Sequence, residues 1–267
     1  MLQQKSIIKI FFTAVSLIYI LTSNVSATTF DVVVDGSDAI FLAGRTDVEP
    51  IPPLTGNPAA FILRRHGYIT PEAIVETLPP YISVSAGDVV RVLDPVVGGV
   101  SFYNGFGGVT FGPSGNGLSG SNLTSLGGIS GYIGPQGPLT GVFLTDSIPS
   151  SGPAPSTINF SSSGLGIDFA SLSPSLGQIF YIGDGLTSSA EFQTFISPVG
   201  ATRLFLGIPD GFSFVGVPGA YDDNDGFYRV RVGINEIPSA VPEPVSMLLF
   251  GTGLVGVGGY VRRKLKG

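Results

Sequence analysis

Four aspartates and one asparagine fall within a short window near the C-terminal end of the chain: Asp210, Asp222, Asp223, Asn224 and Asp225. Carboxylates this close repel one another unless a cation neutralises them, and Ca²⁺ favours such hard oxygen donors. An EF-hand register with its glycine at Gly226 would place Tyr221 at the first ligand position and Val232 at the twelfth. The twelfth position requires a bidentate Glu, so the loop is not an EF-hand. The same residues also suit a solvated turn, because Asp and Asn side chains bond their own backbone. Sequence chemistry leaves both readings open.

Strands must position this loop. Leu204 to Ile208 is an apolar run before it, and Tyr228 to Val232 alternates after it. In that second run Tyr228, Val230 and Val232 share one face while Arg229 and Arg231 share the other. The remaining chain reads the same way. Phe30 to Val34, Ala39 to Leu42, Tyr81 to Val84, Asp88 to Leu93, Leu139 to Leu144, Ile167 to Phe169 and Gln178 to Ile182 are predicted as short strands, each bounded by turn residues. Pro71 to Thr77 is the one predicted helical turn, with Pro at its start, Glu72 in its first turn and a second Glu at 76. The 39 Gly and 21 Pro argue for many turns and against long helices. The expected fold is all-β, a jelly roll or β-sandwich.

Two stretches interrupt that pattern. Glu49 to Pro58 is Pro-rich and reads as a surface loop. Gly98 to Gly137 is rich in Gly and Ser yet contains Phe102, Tyr103, Phe111, Leu123, Ile129 and Tyr132. So much apolar surface is unlike a flexible linker. An ordered excursion over the acidic-loop end is expected, with a mobile insertion as the alternative.

Catalytic constellations are sparse. The single histidine, His66, sits in Arg64-Arg65-His66 without a nucleophile-elbow motif, which reads as a basic surface turn. With no Cys there are neither disulfides nor thiolate metal sites, and one His excludes multi-His zinc sites. Glycosidase chemistry needs only two carboxylates, and nothing singles out a pair. Binding rather than catalysis is expected. Residues 28–240 contain seven arginines against 18 acidic residues, a formal charge of −11. Such a surface repels phosphate backbones, so no nucleic-acid partner is expected.

A resemblance bears on the loop. The segment PGAYDDNDGFYRVRVG, following LGIPDG, resembles the C-terminal metal loop of the calcium-dependent galactophilic (PA-I-like) bacterial lectins. Tyr81 to Val92 (YISVSAGDVVRV) is similar to that family's Gly-Asp turn before a strand, and Ser101 to Asn116 (SFYNGFGGVTFGPSGN) to its Tyr-bearing aromatic-Gly-Pro loop. The three segments occur in the family's order. The resemblance implies a galactose-binding-domain-like jelly roll with Ca²⁺ held by Asp210, Asp223, Asn224 and the backbone carbonyls of Tyr103 and Ala220. It also implies glycan or exopolysaccharide ligands that bind through the metal. The loop from Gly211 to Val217 is longer than the family's, and the family's sugar-contacting His and Gln have no counterpart here. Asp222 and Asp225 are not ligands in that pattern.

Both ends of the chain read as targeting segments. Lys5 and Lys9, the apolar Ile10 to Leu21 and the small residues Val25-Ser26-Ala27 compose a signal peptide. Cleavage by signal peptidase is expected after Ala27. At the other end Val241-Pro242-Glu243-Pro244 precedes an apolar run, Val245 to Val261, and a basic end with Arg262, Arg263 and Lys264. This tripartite tail resembles the PEP-CTERM sorting signal, which implies processing by an exosortase in a Gram-negative envelope. A plain single-pass membrane anchor is the alternative. The expected organisation is therefore a signal peptide (1–27), an all-β domain (28–240) and a sorting tail (241–267). Three functions compete: a calcium-dependent carbohydrate-binding module, a structural envelope or biofilm-matrix component, and a carbohydrate-active hydrolase.

Overall fold

A computed structural model of the chain describes residues 27–46, 76–93, 96–102, 109–149 and 153–237. The described part is all-β, with strands β1 (Thr28–Asp35), β2 (Tyr81–Ser83), β3 (Val89–Val92), β4 (Val97–Ser101), β5 (Ser119–Leu123), β6 (Tyr132–Pro135) and β7 (Thr140–Leu144). It continues with β8 (Ser171–Leu172), β9 (Ile179–Tyr181), β10 (Thr194–Ile196), β11 (Arg203–Gly207), β12 (Val215–Gly216) and β13 (Asp225–Ile234). Among the described residues no helix is long and apolar enough to cross a membrane.

β13 is the spine. It pairs antiparallel with β1 from Thr28↔Ile234 to Asp35↔Phe227, and on its other side with β3 and β4. Tyr228, Val230 and Val232 are buried and Arg229 and Arg231 face out, as their alternation dictates. Arg231 Nε lies 3.2 Å from Asp31 Oδ1 across the pair. Both groups are exposed, so this bridge adds at most ~1 kcal/mol and register is set by the buried face. The sheet runs β1-β13-β3-β10-β8 with β4 beside β13. A second sheet, β2-β11-β7-β9, packs against it. Phe180 of β9 and Phe195 of β10 meet across the two sheets with ring centroids 5.1 Å apart. Without disulfides, aromatic burial of this kind has to hold the sandwich, each such side chain contributing about 1.5–3 kcal/mol.

The Gly/Ser-rich excursion is ordered where it is described. β4 extends the first sheet, while β5 and β6 join β12 in a third, small sheet. Its strands were hidden from the sequence because their glycines disrupt alternation. Gly98 needs φ +108°, and a Cβ there would lie 2.2 Å from the Phe227 carbonyl oxygen. Two expected strands are not strands. Ile40–Leu42 forms a buried 3₁₀ turn that is apolar on every side, and Ile167 to Phe169 is irregular, the neighbouring strand being β8. β10 was also missed, being only three residues long. Of the expected helical turn, Pro71 to Val75 lie outside the described residues; Thr77 is extended and bridges Asp38. The Glu49 to Pro58 loop, His66, the signal segment up to Ser26 and the tail from Val241 onward also lie outside them.

Candidate functional site

The acidic loop occupies one pole of the sandwich. β11 climbs from Arg203 to Gly207 and β13 descends from Asp225, so the chain between them closes that pole. Three contacts shut the loop at its base. Gly211 bridges Pro218, the Gly219 N–H donates to the Asp210 carbonyl at 3.0 Å, and the Phe214 N–H to the Gly211 carbonyl at 2.7 Å. These bring Asp210 alongside Ala220 to Asn224, although ten or more residues separate them in sequence.

Tyr221 is the strut. Its ring is fully buried, its hydroxyl donates to the Ile208 carbonyl at 2.7 Å, and it accepts the Asp210 N–H at 3.1 Å. Burial, and next the charge of Asp210, push this phenol well above its ordinary pKa, so it stays a neutral donor. Asp210 itself is 2% exposed, and its Oδ1 accepts the Gly211 N–H at 2.6 Å. Asp223 is 8% exposed and ends a 3₁₀ turn, Tyr221–Asp223. Two carboxylates this deeply buried are costly as anions unless a positive group or hydrogen bonds compensate them.

Asn224 supplies the most specific feature. Its Nδ2 donates to the Gly36 carbonyl at 3.0 Å, which fixes the amide so that Oδ1 is directed the other way. That oxygen is buried and has no hydrogen-bond donor. A buried amide oxygen lacking a donor, in a loop that also buries two carboxylates, is a donor set that suits a hard cation. Backbone strain is concentrated here as well. Ser213, Phe214 and Ala220 hold φ of 54°, 59° and 65°, three of the five non-glycine residues with positive φ among those described. Each such residue costs about 1–2 kcal/mol, and strain of this kind collects at functional sites.

Of the expected ligands, Asp210, Ala220, Asp223 and Asn224 are therefore drawn to one pole, and Tyr103 lies outside the described residues. Among the described residues no three His, Cys, Asp or Glu side chains converge, so amide and carbonyl oxygens would have to complete any metal shell. Asp225 begins β13 and is exposed, consistent with a solvent role.

Sequence reasoning missed the partner segment at the end of β1. Gly36 donates its N–H to the Gly226 carbonyl and gives its own carbonyl to Asn224. Asp38, also buried, accepts the Asp35 N–H at 2.7 Å and the Thr77 hydroxyl at 2.6 Å. Burial raises its pKa to about 6, partly opposed by those two bonds. No local signal could have revealed this, since the pairing spans 188 residues.

The described architecture is thus an all-β domain of two packed sheets and a third, small one, with an acidic, strained loop at one pole. Beyond it the chain matches the PEP-CTERM protein-sorting motif over residues 240–264. That match covers Val241, Pro242, Glu243, Pro244, Arg262, Arg263 and Lys264, and it implies export to the cell envelope or surface and processing by an exosortase. No curated protein and no solved structure matches the chain.

Proposed function

We propose that this chain is an exosortase-sorted envelope or extracellular-matrix protein whose β-sandwich binds carbohydrate through a calcium ion. Asp210, Asp223, Asn224 Oδ1 and the Ala220 carbonyl would hold the ion, with the Tyr103 carbonyl completing the protein's share. The ion would supply open coordination positions for a sugar diol, and the chain's own residues would hold it without reacting. The observation that supports the reading is the buried, donorless Asn224 Oδ1 in the loop that also buries Asp210 and Asp223. The loop's position before the last strand of an all-β domain also agrees with the lectin resemblance and its galactose-binding-domain-like fold. The function proposed is binding rather than catalysis.

A second reading is a structural matrix component whose metal only stiffens the loop. It is favoured by the lack of counterparts for the lectins' sugar-contacting His and Gln. A glycan array run in calcium and in chelator separates the two. Calcium-dependent retention of any glycan supports the first reading. Calcium binding without retention supports the second, and hydrolysis of an arrayed glycan would restore the enzyme.

A further inference from the structure

We infer that the pole opposite the acidic loop is a membrane-facing surface, which rests on lipid headgroups while the sorting tail is attached. The pairing of Thr28 with Ile234 places the proposed mature N-terminus and the exit toward the tail at the same end of the sheet. The exit is pinned there. The Arg91 guanidinium donates to the Glu236 carbonyl at 2.7 Å, and Asn235 exchanges bonds with Val89 and Asp88. Val245, where the apolar run begins, follows Ile237 by eight residues, which can span at most about 29 Å. A tether no longer than the domain itself keeps this pole nearer than the other to the surface that carries the tail. The inference rests on the apolar run Val245 to Val261 acting as a membrane span, and not on the calcium reading.

The charge at the two poles agrees with this. Around the chain exit lie the turns Ser85 to Asp88 and Ser197 to Ala201, which the Gly87 N–H joins by donating to the Ser197 carbonyl. Val199 and Ile237 project from this surface, 89% and 87% exposed. Among the described residues, Arg45, Arg91 and Arg203 sit at this end with Asp88, Asp146 and Glu236, an even balance. At the other pole Asp35, Asp38, Asp210, Asp222, Asp223 and Asp225 occur with no basic residue between positions 208 and 226. Headgroups with net negative charge repel the acidic pole and not the balanced one. Exposed apolar side chains occur at both, Phe212, Val215 and Val217 being on the acidic loop, so charge is what separates the poles. Ten residues of β13 separate the poles, about 30 Å at strand rise, so the acidic loop is held outward.

Because the chain has no Cys, single labels can be placed cleanly. Val199→Cys and Val215→Cys, both at exposed positions on opposite poles, would be labelled with an environment-sensitive fluorophore. The chain, with its tail retained by expression without exosortase, would be reconstituted in phosphatidylcholine–phosphatidylglycerol vesicles containing a headgroup-quencher lipid. Quenching several-fold stronger at position 199 than at 215 is expected. Equal quenching at both, quenching at neither, or stronger quenching at 215 would overturn the inference.

Discussion

Removing one oxygen tests whether Tyr221 organises the acidic loop. In Tyr221→Phe the ring keeps its buried packing, but the hydroxyl that bonds the Ile208 carbonyl at 2.7 Å and the Asp210 N–H at 3.1 Å disappears. The Ile208 carbonyl keeps the Ile40 N–H at 3.3 Å, a weaker partner. Leaving a buried polar group short of its bond costs about 1–3 kcal/mol. For a domain of roughly two hundred residues each kcal/mol lowers Tm by about 2–4 °C, so a fall of about 2–12 °C is expected. Calcium affinity should weaken as well, because the Asp210 backbone loses its fixed position. Differential scanning calorimetry of parent and variant, each in calcium and in chelator, reads both effects. A variant that melts within 1 °C of the parent and responds equally to calcium would refute the strut.

Glycine at position 226 is required by the β4–β13 pairing, since a Cβ there would lie 2.2 Å from the Gly99 carbonyl oxygen at φ +94°. Gly226→Ala should therefore destabilise by several kcal/mol or prevent folding, whereas Gly87→Ala, at φ +84° in open space, should cost only about 1 kcal/mol; thermal melts compare them. Asp38 has a folded pKa raised from 3.8 to about 6, so the native state holds its proton more tightly than the unfolded chain does. Its stabilising contribution is fully present below the unfolded pKa and is lost as pH rises through about 6. Denaturant titrations should show that decline, and Asp38→Asn should flatten it; an unchanged slope would mean the carboxyl is not responsible. Intact-mass measurement of the protein from its native host should show a chain lacking Arg262 to Gly267, and recovery of those residues would leave a permanent anchor.

The parts of this fold legible in the sequence are those where local pattern and burial coincide. Tyr228 to Val232 alternates because one face is buried, and it was readable for that reason. Ile40 to Leu42 was misread because a turn buried on every side leaves no period to detect. β4 was missed because backbone crowding at Gly98 requires glycine, and β5 because Gly120, at φ +107° in open space, interrupts its alternation; either way a side chain that a pattern needs is removed. At the candidate site, clustered oxygen donors announced Asp210, Asp223 and Asn224 directly. Tyr221 looked like one more aromatic, and Gly36 had no local mark at all. Their roles come from hydrogen bonds to residues distant in sequence, which composition does not encode.

Melting residues 28–240, the expected all-β domain, in calcium and in chelator is the most direct test of the proposed metal centre. Binding confined to the folded state adds about 2.7 kcal/mol at a hundredfold excess over Kd, which corresponds to a rise in Tm of about 5–11 °C for a domain of this size. Asp223→Ala should remove most of that rise, since it deletes a buried carboxylate next to the donorless Asn224 oxygen. Asp222→Ala should keep it. Equal melting of the parent in calcium and in chelator would contradict the metal site and, with it, calcium-dependent carbohydrate binding.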